Sequence, residues 1–491
     1  MLPETVRHFI GGKHVYSTLR KSYGVTDPAT GKEYAQVEVG LGADINQAVL
    51  AARDAMETGP WPGMATPDRA RVLSGIADAI DARADDIAAA QVLGPGLPVT
   101  QAREQAARAS GLFRLVAGLV AERAADSAPG ESGQSGYVVA RPVGVAGLVT
   151  SWRTPFLSQA RAVAPALAAG CTIVLKPDEW APLPAALLAK VATAAGLPDG
   201  VLNIVHGSLH RKAPGAQARD ALIAHPGVAR LSFADEADPG QQVTPDEATH
   251  GKNRTAGLAG GSPCLIFADA DLDQAADGAL FGAFALNGQR RTATSTILVQ
   301  RPVYDILVSR LAQRAERIRV GDPADPATQV GALPHADQYD KLSSLVRLGI
   351  REGARLAAGG RRPAGLPEGN FLAATVLADV APSMQIFAKP VCGPVIRVTL
   401  FDTDEEAVSL ANAVSYPAAY IWTADLQRAR RLAPAIESAS IWVNSHNPRD
   451  LVHATPGQPT AEAGAADIDF YTRSRTMLIS ADEVPVPQFG A

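Results

Sequence analysis

Three short β-branched runs, Gly144–Val149, Cys171–Leu175 and Leu202–Val205, alternate with helix-forming segments at 157–169 and 181–195. Strands that are apolar throughout, each followed by a helix, are buried on both faces and joined by crossovers. That combination dictates a parallel sheet built from βα units. A second alternating series runs from Leu265 to Trp442 and calls for a second α/β layer. Upstream, 42–58 and 66–125 read as alanine-rich helices, with Val72, Ile76, Ile80 and Ile87 at helical spacing. The stretch from Asp126 to Ser135 is acidic and rich in Gly and Ser, and reads as a turn or linker. There is no short tandem repeat.

The chain has 491 residues, 47% of them hydrophobic, which is enough for more than one domain and for substantial cores. A net charge of −5 with mixed signs leaves no basic stripe, which argues against a nucleic-acid partner. Cys171, Cys264 and Cys392 are too far apart for a disulfide framework or a zinc set, and fit a reducing, cytoplasmic setting. The N-terminus lacks a basic segment followed by an apolar run. No stretch reaches the roughly 18 uninterrupted apolar residues of a membrane span, so no membrane partner is expected.

A series of landmarks runs the length of the chain: Phe9–Gly12, Asp27–Gly31, Gly59–Trp61, Arg141–Gly147, Ala164–Pro177, Gly196–Val205, Gly260–Pro263, Gly393–Val395 and Ile441–Asn444. In this order and at these intervals they resemble the aldehyde dehydrogenase superfamily. The resemblance implies an α/β aldehyde dehydrogenase fold: a Rossmann-like dinucleotide-binding domain, an α/β catalytic-type domain and a small β oligomerisation flap. On this chain the first would cover 1–125 and 146–256. The second would cover 257–445, with 446–475 a degenerate loop region, and the flap 126–145 and 476–491. The flap segments Gly136–Ala140 and Thr476–Ile479 are strand-like edges that a lone subunit would leave bare, so the expected partner is another subunit. It would be a copy of this chain, as dimer or tetramer, or an active relative or other enzyme.

Family chemistry needs a thiolate to attack the aldehyde, donors for the resulting oxyanion, and a base to activate water. Phe284–Val299 carries the frame of the family's nucleophile segment, with Arg291 where the cysteine belongs. The oxyanion asparagine is Arg153 within Ser151–Pro155, the general-base glutamate is Gly257, and a supporting lysine is Ala162. The resemblance therefore implies a chain with no intact catalytic residue. Cys392 could substitute, since it replaces a phenylalanine beside the family's nicotinamide, although a buried inert thiol is the simpler reading. Thr292, Thr294 and Ser295 flank the lost thiol with no base nearby, and read as turn and packing residues.

Lys176 and Glu179 match the pair that holds the adenosine ribose in the family, and Trp152 accompanies them. A free carboxylate there favours NAD over NADP. Against binding, Asp235 and Glu236 stand where backbone amides cradle the pyrophosphate, and Pro390 replaces the glutamate of the nicotinamide ribose. The expectation is no functional cofactor, at most a vestigial NAD site. Arg153, Arg290 and Arg291 admit two readings. They hold a small anionic ligand in the old tunnel, as an enzyme or binding protein would, or they bond carboxylates and carbonyls of their own chain and plug a disused cavity. Thr455–Gly464 replaces the family's lysine-bearing loop with chain breakers, and is expected to be irregular.

Overall fold

The computed structural model describes residues 2–122, 126–128, 134–207, 216–234, 254–256, 261–290, 292–414, 418–438, 440–446 and 465–480. It is built around two seven-stranded sheets. In the first, five parallel strands lie in the order Arg254–Ala256, Val228–Ala234, Val145–Thr150, Thr172–Lys176 and Leu202–Ile204. His8–Ile10 and Lys13–Val15 extend it antiparallel. Among the parallel strands the chain lays Val145–Thr150 first, winds outward to Leu202–Ile204, then crosses back to lay Val228–Ala234 on the other side of Val145–Thr150. A crevice opens at such a reversal, beyond the carboxyl ends of the strands, and ligands in open α/β sheets bind there. The turns that leave two of those ends begin at Ser151 and Pro177.

The helical stretch 66–125 divides into three helices: Thr66–Asp81, Ala84–Leu93 and Val99–Glu122. Gly94-Pro95-Gly96 and Pro98 break the last two apart, because Pro removes a donor and Gly96 adopts φ +71°. A Cβ at Gly96 would lie 2.2 Å from the Ala332 carbonyl oxygen, so this turn is also where the helical layer meets the second α/β unit. Asn287 pins the seam, donating to the carbonyls of Gly96 and Ala332 and accepting from the Gly331 N–H.

The second sheet runs in the order Arg355–Ala358, Thr375–Ala378, Val395–Phe401, Thr296–Gln300, Pro263–Ile266, Ala418–Trp422 and Ser440–Val443, parallel except at the first strand. Its core includes Ile266, Ile297, Val299, Val398 and Tyr420, as that of the first includes Leu148, Phe156, Ile173 and Leu175. Each such side chain contributes roughly 1.5–3 kcal/mol through burial. A three-stranded antiparallel sheet joins Asp126–Ala128, Gln134–Pro142 and Thr472–Ser480.

Two expectations are corrected here. Asp126–Ala128 is an edge strand instead of linker, since its register against Gly136–Val138 supplies backbone partners that composition cannot reveal. The expected degenerate region 446–475 contains the helix Ala465–Phe470 and the start of a strand at Thr472. Residues 447–464, with the loop Thr455–Gly464, lie outside the described residues. No described helix is long and apolar enough to cross a membrane.

Candidate active-site cleft

Arg153 lies just past the strand Val145–Thr150 and just before Thr154, the N-cap of the helix Pro155–Ala168. Pro155 pre-sets the helical φ at the first position, which starts the helix abruptly and fixes the turn. The Arg153 amide donates to Ser151 Oγ, 3.3 Å away. Its guanidinium is buried, at 5% exposure, 5.8 Å from the Trp152 ring centre. Nη1 has no hydrogen-bond acceptor, and among the described residues no carboxylate pairs with this side chain. Ala162 is buried on the same helix.

The segment that should bear the nucleophile follows the helix Leu272–Phe284 through a tight turn, with Leu286 and Asn287 at φ +56° and +59°. Arg290 folds back on that helix end. Its Nη2 donates to the carbonyls of Phe281 and Gly282 at 3.2 and 3.0 Å, and its guanidinium lies 5.2 Å from the Phe281 ring centre. A cation on the last-turn carbonyls of a helix is favourable. Arg290 thus follows the internally bonded reading, through carbonyls and not carboxylates.

His446 shares this corner. Its ring stacks on Tyr420 at 4.1 Å and sits edge-on to Phe281 at 6.0 Å, and Nε2 is 2.9 Å from Thr294 Oγ1. A Cβ on Gly282 would lie 1.8 Å from Nε2, so the imidazole rests directly on bare backbone. Burial, reinforced by the Arg290 charge, lowers the His446 pKa from 6.5 to about 2 and keeps the ring neutral.

Arg397 is fully buried on the strand Val395–Phe401 and closes the floor. It donates to the carbonyls of Ile386, Phe387, Lys389 and Ser295, and to the hydroxyls of Ser295 and Thr296. This clamp ties the loop leading to Pro390 and Cys392 to the segment after Arg291. Gly393 reinforces it, donating to the Gly288 carbonyl at 3.1 Å. Cys392 is half-buried, and its carbonyl accepts from Gln338 Nε2. Cys171 and Cys264 are core residues; burial pushes the Cys171 thiol up to about 11 and the Cys264 thiol further.

Lys176 and Glu179 are both buried at the carboxyl end of Thr172–Lys176, beside the turn that carries Trp152 and Arg153. Lys176 Nζ donates to the Pro177 carbonyl at 2.6 Å. His335, N-cap of the helix Ala336–Glu352, reaches over from the second unit. Its ring stacks on Trp180 at 4.5 Å and meets Trp152 edge-on at 5.9 Å. An imidazole therefore spans the gap between the Trp152 and Trp180 turns.

The structure thus brings Arg153, Trp152, Lys176 and Glu179 to one crevice, and Arg290, Thr294 and Ser295 to a corner beside the Cys392 loop. Arg291, Gly257, Asp235 and Glu236 lie outside the described residues. Sequence reasoning passed over His446, His335, Trp180 and Arg397. Trp180 could have been noticed as an aromatic next to the ribose pair. Arg397 carried no signal, because its acceptors are carbonyls and hydroxyls that only the fold brings to it.

Comparison with known proteins places this geometry. Residues 14–476 match the model of the aldehyde dehydrogenase family. The chain is 41% identical to a 5-carboxymethyl-2-hydroxymuconate semialdehyde dehydrogenase of Escherichia coli, over 92% of this chain and 95% of the relative. It is 35% identical to a 2-hydroxymuconic semialdehyde dehydrogenase of a Pseudomonas strain, over 96% and 99%. Among solved structures, an NAD+ complex of an aldehyde dehydrogenase from Bacillus cereus superposes with a TM-score of 0.91 at 31% identity, covering 98% of each chain. A betaine aldehyde dehydrogenase from Staphylococcus aureus, also with NAD+, gives 0.93 at 29% identity, covering 100% of this chain and 97% of that one. On both sequence and fold, the chain belongs to the aldehyde dehydrogenase family.

Proposed function

We propose that this chain is a catalytically inactive aldehyde dehydrogenase that acts as a structural or regulatory subunit of a homo- or hetero-oligomer. One observation carries the reading: at the oxyanion position a buried arginine, Arg153, replaces the asparagine, in a sequence that also has Arg291 for the thiol and Gly257 for the base. An oxyanion donor alone is worth roughly 3–4 kcal/mol and a general base about 10² to 10⁴ in rate, before the absent nucleophile is counted. Cys392 does not repair this, because Gly257 leaves no base in the family position.

The relatives named above are dehydrogenases of semialdehydes, and those solved with NAD+ bind it. Here the residues do not fit a productive nicotinamide cofactor. Lys176 Nζ is engaged by the Pro177 carbonyl, the His335 ring bridges Trp152 and Trp180 across the crevice, and Pro390 offers no carboxylate. The surface suited to assembly is the strand Thr472–Ser480, where Met477, Leu478 and Ile479 are exposed.

The test is spectrophotometric. Purified protein supplied with NAD or NADP and either simple aldehydes or carboxylated semialdehydes should form no reduced nicotinamide, and Arg291→Cys alone should remain silent. Turnover by the wild type that is lost in Cys392→Ser would overturn the proposal and make Cys392 the nucleophile. Sedimentation should show a dimer or larger species at micromolar concentration.

A further inference from the structure

Five arginines are buried among the described residues: Arg69, Arg153, Arg219, Arg290 and Arg397. Arg69 donates to the carbonyls of Ala168, Trp61 and Met64, and Arg290 and Arg397 to those already named. Arg219 lies 3.9 Å from the Asp220 carboxylate. Arg153 alone of the five has no side-chain acceptor among the described residues, although it is 5% exposed. An uncompensated buried cation costs several kcal/mol, so a guanidinium held in such a place needs an anionic counterpart.

The same turn supplies a second orphan. Thr150, fully buried at the end of its strand, has a hydroxyl with no partner. Directly after it begins a helix of 14 residues, Pro155–Ala168, whose N-cap Thr154 makes no side-chain cap bond. Its first-turn amides and its dipole add partial positive charge on the side where Arg153 lies.

We propose that the turn Thr150–Thr154 is a binding site for a small carboxylate. The Arg153 guanidinium supplies the charge and a planar fork, the Thr150 hydroxyl a further donor, and Trp152 an apolar flank for the body of the ligand. A single unpaired guanidinium balances a single negative charge. This suits a carboxylate better than a phosphate dianion, whose second charge Arg153 alone would leave unbalanced.

Full-length protein is titrated with acetate, succinate and inorganic phosphate against chloride at matched ionic strength, and read by thermal denaturation and calorimetry. Carboxylates should raise Tm saturably. Arg153→Gln should weaken the affinity at least tenfold, Arg153→Lys less, and Thr150→Val a few-fold, while the exposed Arg301→Gln leaves it unchanged. Should Arg153→Gln fail to fold, Arg153→Lys and Thr150→Val carry the same comparison. Equal responses in wild type and the Arg153 and Thr150 variants, a response to phosphate alone, or no saturable response would each overturn the site. Detectable aldehyde turnover would instead defeat the non-catalytic reading and leave this one standing.

Discussion

Arg397 and Arg153 are both buried guanidiniums at the same cleft, yet they sit in opposite kinds of surroundings. Arg397 is surrounded by carbonyls and hydroxyls from two segments, so its charge is spread over acceptors that also need donors. Arg153 has a backbone anchored by Ser151, an aromatic neighbour, and a side chain with no acceptor in the described chain. The first arginine belongs to the scaffold and holds the floor loop in place. The second lies on the turn between a strand end and a helix start, where no acceptor among the described residues answers it. Charge burial is tolerated where the backbone can answer it; elsewhere it signals either cost or a ligand.

Stability measurements give the widest separation between the two. Arg397→Met should strip donors from several buried acceptors and cost about 3–5 kcal/mol, at roughly 1–3 kcal/mol for each group left unsatisfied. Arg153→Met should be neutral or stabilising, because an apolar chain of similar length removes an unpaired charge. Urea midpoints decide it, and the reverse order of the two variants would break the contrast.

A smaller effect comes from acid. His446 has a folded pKa lowered to about 2 against 6.5 when exposed, so between these values the unfolded chain binds a proton that the folded chain refuses. Its contribution is therefore complete above pH 6.5 and is lost progressively as pH falls below it. His8, lowered to about 4 by burial and then Lys176, with Asp44 opposing, acts in the same direction. His446→Phe should flatten the fall in Tm on acidification from pH 7 to 5. An unchanged profile would mean that other groups dominate.

The smallest expected effect sharpens the cofactor side of the crevice. NAD should bind weakly or not at all by calorimetry, and joint Asp235→Asn and Glu236→Gln substitution should strengthen any binding a few-fold by removing like charge from the pyrophosphate position. Tight binding to the wild type would show that the His335 bridge yields to the nucleotide.

Much of this molecule was legible before its coordinates. The βα alternation announced a parallel sheet because strands buried on both faces carry no polar alternation, and Gly144–Val149, Cys171–Leu175 and Leu202–Val205 became adjacent strands. The positions of Arg153, Lys176 and Glu179 followed from the motif frame. What did not follow was pairing. Asp126–Ala128 reads as linker until Gly136–Val138 is found beside it, and the breaks within the helical stretch 66–125 are placed only when Gly94 to Pro98 is weighed against the seam at Ala332.

Residue type and spacing by themselves determined the fold class and the family frame. These are properties of local pattern and chemical identity, which a linear chain carries in full. Only the tertiary structure decided that Arg290 caps a helix end, that His446 is held neutral against Gly282 and Tyr420, that His335 spans Trp152 and Trp180, and that Arg397 is satisfied while Arg153 is not. A side chain's charge is written in the sequence. Whether that charge is answered depends on carbonyls and rings brought from tens or hundreds of residues away, and those meet only in the folded chain.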